Sequence, residues 1–241
     1  MTAFVLFWMV GAAGATPVGD PVANPSTGRI HLDAGLVMSQ YREVDSKCSG
    51  NACYATTIRK GIGLELGAAV VRGFGLYARA SRQSDTVREA HYEGTVNTLG
   101  GGVRFAVPIR PLVWLSSTTD VHRGDSESKQ AQRVDDPAQA SETMASTTLL
   151  AVLGDPDNGG HLWLGAQGAW YWDHSLQPLG SQGTTVNIPL DSRHPLSVVV
   201  GGTVISDGIG AIWRTGPRLR VSIEGRAGQE MGLHVATGVA L

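Results

Sequence analysis

The chain carries little charge and very little lysine. Charged residues make up 17% of its 241 positions, below the roughly 25% of an average soluble protein, and lysine occurs only at Lys47, Lys60 and Lys129. The 19 basic and 21 acidic residues are dispersed along the chain, so the sequence has no basic patch of the kind that binds nucleic acid. The composition therefore predicts no nucleic-acid partner, and it is untypical of the charged surface of a soluble protein.

Long apolar runs are absent beyond the N-terminus. Residues 3–13 are apolar and Ala13-Gly14-Ala15 follows, which is typical of a secretory signal peptide cleaved after Ala15. No later segment has the 18 or so consecutive apolar residues of a membrane-spanning helix. The sequence therefore divides into a signal peptide over 1–15, an extended lead-in rich in proline and glycine over 16–28, and a third region over 29–241.

Cysteine is limited to two positions, Cys48 and Cys53, which flank Ser-Gly-Asn-Ala. A close pair in an exported protein predicts a disulfide, here one that staples a loop, with free thiols or a metal site as weaker alternatives. The segment has no histidine to complete a metal site, and the glycine-rich stretch at 100–102 is not followed by the Gly-Lys-Ser/Thr of a phosphate loop. We therefore expect no metal and no cofactor.

What the sequence has is an alternation of residue types with a period of two. In residues 57–71, Leu64 and Leu66 share an aliphatic face, while Glu65 lies among glycines on the opposite face. Residues 30–41, 219–227 and 231–241 alternate in the same way. The pattern predicts about ten strands, within a range of eight to twelve, the less regular ones at 74–86, 93–107, 112–123, 144–154, 161–174 and 196–213.

The two faces and the connections between strands indicate the kind of barrel. A soluble barrel has its apolar face inside and Lys and Glu outside, whereas here the second face carries Gly, Ser, Thr and isolated charges. That pattern is typical of an aliphatic band in lipid around a polar lumen. Short turns alternate with longer polar connections at 45–56, 124–143 and 175–195. We therefore predict an all-β fold, a closed antiparallel transmembrane barrel with its short turns on one side.

In these features the chain resembles the small bacterial outer-membrane β-barrel proteins. The resemblance covers nearly all of 29–241, and it ends on a terminal strand, Met231 to Leu241, which closes in Leu where such proteins commonly have Phe or Trp. It implies an outer-membrane location, insertion by the barrel assembly machinery, short periplasmic turns and long extracellular loops. Candidates for an aromatic girdle lie near predicted strand ends, at Phe74, Phe105, Trp163, Trp170, Trp172 and Trp213.

Alternation also assigns a set of charged side chains to the lumen. Ions confined there must pair, because an unpaired buried charge costs several kcal/mol. The turn at Arg72-Gly73 is expected to bring Glu65 within reach of Arg79. We predict a network that fills the lumen and leaves no large pore, formed by Arg59, Glu65, Arg79, Arg104, Arg220, Glu224 and Arg226 together with His31, Asp33 and His234.

A second group of polar residues is expected at the rim on the loop side. A carboxylate, an imidazole and a hydroxyl are the groups used in hydrolysis, and outer-membrane proteases and lipid A acyl hydrolases resemble this group in residue type. The candidates are Asp120, His122, Ser126, Asp173 and His174. The first interpretation is nonetheless a structural or surface-binding barrel with lipid and an extracellular ligand as partners. The alternatives are this hydrolase and a secreted soluble ligand-binding barrel.

Overall fold

Ten long antiparallel strands and one two-residue strand make up the described structure. The structure, a computed structural model, describes residues 20, 22, 30–45, 53–87, 92–130, 138–156, 159–178, 186–187, 196–207, 218–228 and 230–240. The strands are β1 (Ile30–Asp45), β2 (Cys53–Val71), β3 (Phe74–Val87), β4 (Tyr92–Arg110), β5 (Val113–Gln130), β6 (Ala138–Gly154), β7 (His161–Pro178), β8 (Val186–Asn187), β9 (Leu196–Asp207), β10 (Arg218–Gly228) and β11 (Glu230–Ala240).

The ten long strands close into a barrel. From β1 to β7 each strand pairs with the next along the chain, β7 pairs with β9, and β1 pairs with β11 in the register Leu36 opposite Val235. The short β8 adds only to β7, at Ser175 and Leu176. Closure satisfies the backbone groups that an open sheet would leave unpaired at its edges. The predicted closed antiparallel barrel of about ten strands is confirmed.

The outer face of the barrel is aliphatic and the inner face is polar. On β2, Leu64 and Leu66 are 55% and 54% exposed, whereas Glu65 between them is fully buried. Leu219, Val221, Leu233 and Val235 point outward in the same way. This orientation is the inverse of a soluble ligand-binding barrel, in which the aliphatic face would line the interior. No helix among the described residues has the length and apolarity needed to cross a membrane.

The strands extend further on the loop side than the sequence indicates. Within the stretch 124–143, expected as a connection, residues 124–130 continue β5 and residues 138–143 belong to β6, and Ser128 pairs with Ala138 at the upper end of this ladder. The strand predicted to start at 144 begins at Ala138, while the one predicted to end at 213 ends at Asp207. An antiparallel pair of strands satisfies its own backbone hydrogen bonds, so it can continue beyond the membrane with polar residues on both faces. Such strand ends show no alternation of hydropathy in the sequence. Cys48 and the signal peptide lie outside the described residues, as does the side chain of Cys53, and the disulfide stays a prediction.

The alternation of short and long connections holds for the first seven strands and then fails. Two-residue turns join β2 to β3 and β4 to β5, with the positive φ angles of Gly73 and Leu112 reversing the chain. On that same side, however, ten residues, 208–217, separate β9 from β10, and on the opposite side a single residue, 229, separates β10 from β11. β9, β10 and β11 are also the shortest of the long strands, with 12, 11 and 11 residues.

An apolar cluster lies inside the barrel near the short turns. Trp163, predicted as part of an aromatic girdle, is only 2% exposed and points inward, because it shares the parity of buried His161 on β7. Trp170, Phe105 and Phe74 lie on the outer face, whereas Trp172 and Trp213 have no described side chains. Val22 of the N-terminal lead-in inserts into this cluster, whose other members are Ala106, Trp114, Leu150, Val152, Trp163 and Val199.

Candidate functional site

The interior polar network begins at the N-terminal lead-in. Asp20 is 3% exposed and accepts hydrogen bonds from the backbone N of Val22 and from His161, whose Nε2 lies 3.0 Å from Asp20 Oδ2. Burial alone would raise the pKa of Asp20, but the charges of His161 and Arg220 and these hydrogen bonds hold that pKa well below its ordinary range. Asp20 is therefore a buried carboxylate that ties the lead-in to two barrel strands.

The next part of the network lies between β10, β1 and β2. Arg220 Nη2 donates to both carboxylate oxygens of Asp33, at 2.8 and 2.6 Å, and its Nη1 lies 3.9 Å from Asp20. His31 Nε2 lies 3.8 Å from Asp33 and 3.4 Å from Glu65. Because β1 places His31 and Asp33 on its inner face, two residues apart, one strand connects the β10 arginine to the β2 carboxylate.

Glu65 is the fully buried centre of the second part. Arg104 on β4 donates to its Oε1, and Arg79 Nε lies 3.7 Å from its Oε2. The register of the β2–β3 hairpin places Glu65 directly opposite Arg79, as expected from the turn at Arg72-Gly73. Both guanidinium groups also lie over the ring of Tyr77, at 4.8 Å for Arg79 and 4.3 Å for Arg104.

Asp120 on β5 connects four further side chains. Its Oδ2 accepts from Tyr77 Oη at 2.7 Å and from Arg79 Nη2 at 3.0 Å. Its Oδ1 accepts from Ser146 Oγ at 2.6 Å and lies 2.8 Å from His122 Nε2. All five side chains are buried, on β3, β5 and β6. A buried carboxylate with this many donors is stable in its charged form only as long as they remain in place.

From Ser146 the network continues through β7 to the last two strands. Gln167 Nε2 donates to Ser146 Oγ at 3.2 Å, and its amide oxygen accepts from Arg226 Nη1. Arg226 Nε donates to Glu224 Oε1 at 2.9 Å, and that oxygen lies 3.4 Å from His234 Nδ1. One continuous set of contacts, which we call the lumen network, thus runs from Asp20 to His234 and includes side chains of nine of the ten long strands.

The structure places every charged residue of the predicted lumen set inside the barrel. Arg59, Arg79, Arg104, Arg220 and Arg226 are at most 5% exposed, and the acidic and histidine members are equally buried. Glycines opposite them provide the space. A Cβ at Gly67 would overlap the His31 ring, and one at Gly238 would overlap the Asp33 carboxylate. Large side chains such as those of His31, Asp33 and Arg79 therefore fit because a glycine lies opposite each of them on one neighbouring strand.

Two of the residues predicted at the rim, Asp120 and His122, do not lie there. Asp120 and His122, expected at the loop side, lie inside the barrel, and their neighbour Asp125 points outward, with its side chain 71% exposed. The side chains of Ser126, Asp173 and His174 lie outside the described part of the structure. The expected rim position of Asp120 and His122 is therefore wrong, because β5 extends to Gln130 and places them midway along a strand.

The hydroxyl and imidazole beside Asp120 do not have the geometry of a hydrolytic triad. In such a triad the imidazole lies between the nucleophilic hydroxyl and the carboxylate, where it takes the proton from the hydroxyl. Here Ser146 and His122 both contact the same oxygen of Asp120. The carboxylate occupies the central position, so the arrangement holds the strands together without activating Ser146.

Three of the lumen residues have ligand atoms close enough together to hold a metal ion. One atom each of His31, Asp33 and Glu65 lie within 4.8 Å of one another. Arg220 already contacts both oxygens of Asp33, and Arg104 contacts Glu65. A cation would have to displace these guanidinium groups, so the donor set is better suited to arginine than to a metal.

Sequence reasoning missed several members of the lumen network. Asp20 and Val22 lie in a segment of proline, glycine and small residues, in which no periodicity marks two inward side chains. The inward orientation of Asp120 could have been predicted, because Leu115 and Val121 point outward and alternation along the strand then places residue 120 on the inner face. Ser117 and Thr119, outward but polar, obscured that alternation.

Comparison with known proteins identifies the fold. No protein-family model matches the chain, and no curated protein matches it in sequence. The translocator domain of the autotransporter NalP from Neisseria meningitidis matches with a TM-score of 0.57 and 12% identity, over 92% of this chain and 91% of that one. The transport unit of the autotransporter AIDA-I from Escherichia coli matches with a TM-score of 0.50 and 10% identity, over 99% and 96%. At these identities the likeness shows an outer-membrane β-barrel fold and nothing finer.

Proposed function

We propose that this chain is an outer-membrane protein with a lumen closed to solute flow, whose role is structural or is to bind a ligand at its outer surface. The observation that carries the proposal is the continuous lumen network from Asp20 to His234. A barrel of about ten strands has an interior only slightly larger than one that side chains fill, and this network occupies it with inward side chains from nine of the ten long strands.

The apolar cluster near the short turns supports the same conclusion. Trp114 and Trp163 meet inside the barrel with Leu150 and Val152, and Val22 of the lead-in packs onto them. An apolar constriction repels water, and a charged layer beside it is immobilised by paired contacts. Solute would have to displace both layers to pass.

The band of outward Leu, Val and Ile supports an outer-membrane location. The exposed fraction of these side chains reaches 69% at Leu99 and 68% at Val204. Exposing so much apolar surface to water is unfavourable, whereas contact with lipid is not. Export by the signal peptide and insertion by the barrel assembly machinery belong to this proposal as predictions.

The proposal is tested by expressing the full chain and following two properties. We expect the protein to fractionate with the outer membrane and to migrate faster on a gel before heating than after it, as intact barrels do. Liposomes that contain the refolded protein should swell in a small sugar no faster than protein-free liposomes. Recovery in the soluble periplasmic fraction would refute the location, and rapid swelling would refute the closed lumen.

A further inference from the structure

A groove crosses the outer surface of the barrel at right angles to the strands. It has a volume of about 940 Å³ and runs over β10, β11 and β1 to β5 between two rows of outward side chains. Strand register defines the rows, one through Ala34, Leu64 and Leu99 and the other through Leu36 and Ile62. Small residues such as Ala34, Gly35, Gly63 and Ala80 form part of its lining.

The two ends of the groove differ in chemistry. From Val221 and Val235 onward the lining is aliphatic, whereas on β3 to β5 it becomes polar and charged, with Arg82 directly opposite Asn97 and Asn97 opposite Asp125. Arg123 completes this end. Its Nε lies 3.8 Å from Asp125, with both side chains at least 70% exposed, and among the described residues Arg82 has no such acidic partner.

The charged end coincides with the upper boundary of the lipid-facing band. On β3 the outward residues before Arg82 are Leu76, Ala78 and Ala80, and on β5 the outward residue before Arg123 is Val121. Lys60 on β2 is also exposed, one outward position beyond Ile62. These cations lie toward the long-connection side of the barrel, which the resemblance to outer-membrane barrels implies is the extracellular side.

We propose that this groove binds a phosphorylated, acylated lipid, with an acyl chain along the aliphatic part and a phosphate against Arg82 and Arg123. An apolar groove that ends in guanidinium groups matches an amphiphile with an anionic head, because arginine binds phosphate through paired donors while the tail requires only apolar surface. The inference rests on the outer-membrane location in the proposed function, and it adds a specific lipid contact to it.

The test compares two purified ligands, lipid A and its dephosphorylated form, titrated against the refolded full chain in detergent. Each protein preparation is first checked for the faster migration of a folded barrel. Native mass spectrometry then reports bound lipid. We expect lipid A to bind about thirtyfold more tightly than the dephosphorylated form, an effect of the size expected for two basic side chains at a membrane surface. Equal affinity for the two lipids would overturn the proposal.

Variants separate the two parts of the groove. Arg82→Ala combined with Arg123→Ala should abolish the preference for the phosphorylated lipid, and Arg110→Ala, an exposed arginine at the opposite end of β4, should retain it. Ala80→Leu should fill the groove and weaken both lipids. A preference that survives the double substitution, or tight binding to Ala80→Leu, contradicts the site. A preparation that does not form the heat-sensitive barrel would instead refute the proposed function.

Discussion

At the scale of single residues, Asp120 contacts four other buried side chains of the lumen network. It accepts from Tyr77, Arg79 and Ser146, and its removal would leave the buried Arg79 with Glu65 alone, at 3.7 Å. Stability should therefore depend on its charge rather than on its shape.

Replacing Asp120 with Asn should reduce the free energy of unfolding by about 3–5 kcal/mol, the cost of breaking a buried ion pair. Asp125→Asn is the matched control. It changes the same residue type on the same strand, where the ion pair to Arg123 is exposed, and it should cost at most about 1 kcal/mol. Urea titration of the refolded protein in vesicles measures both, and similar losses for the two variants would show that the lumen contacts are not held in a buried network.

The free-energy cost of placing an arginine at an outward position is expected to increase with the depth of that position in the lipid. Leu66→Arg should cost about 2–4 kcal/mol, because Leu66 lies within the aliphatic part of β2. Ser84→Arg, outward on the next strand and beyond the charged boundary at Arg82, should cost about 1 kcal/mol or less. The same vesicle titration gives both values. Equal tolerance of the two arginines would mean that the band assigned to lipid is in water.

At the scale of strands, close approach between β4 and β5 requires glycine. A Cβ at Gly102 would lie 2.7 Å from the Cα of Asp120 and closer still to the Thr119 carbonyl, both parts of the backbone. Gly168 on β7 is different, since its Cβ would meet only side-chain atoms of Leu196 and Trp170 at 3.8 Å.

Gly102→Ala should therefore destabilise the barrel by about 1–3 kcal/mol, as overpacking does, because the β4–β5 ladder must shift. Gly168→Ala, the same change at an ordinary contact distance, should have little effect. The temperature at which each variant loses its faster gel migration compares them. If Gly102→Ala matches the unsubstituted protein and Gly168→Ala does not, the described register of β4 and β5 is wrong.

Two residues of the N-terminal lead-in, Asp20 and Val22, are buried inside the barrel. With Cys48 and Cys53 replaced by serine, Val22→Cys should react slowly with a maleimide. Adding Asp20→Asn removes the charge that faces His161 and Arg220, and the reaction should become about tenfold faster. Rapid labelling of Val22→Cys alone would indicate that the lead-in lies outside the lumen.

The sequence was sufficient for the architecture because a lipid-facing strand must alternate. Leu64, Glu65 and Leu66 fix the faces of β2, and a two-residue turn then fixes the register that joins Glu65 to Arg79. It was insufficient where alternation has no energetic consequence. The strand ends above the membrane, such as Ser128 opposite Ala138, are polar on both faces, and hydropathy cannot separate them from loops.

At the scale of the whole molecule, long-range contacts determine which residues form the site. Asp20 lies 141 positions from His161, and Asp33 lies 187 positions from Arg220, so no local pattern relates these pairs. Barrel closure between β1 and β11 brings Asp33 to Arg220, and the burial of Asp20 inside the barrel brings it to His161. The sequence therefore predicts that the lumen charges form pairs, but it does not predict the individual partners, except for Glu65 and Arg79.

Recording from planar bilayers tests the proposed closure of this barrel by side chains most directly. The refolded chain without residues 1–15, inserted into a bilayer with salt on both sides, should give no large and stable conductance, because we expect the apolar cluster around Trp114 and Trp163 and the lumen network from Asp20 to His234 to leave no continuous path for water. Protein from the same preparation must show the faster gel migration of a folded barrel. A steady conductance of porin size from that protein would contradict the account and make the molecule a diffusion channel.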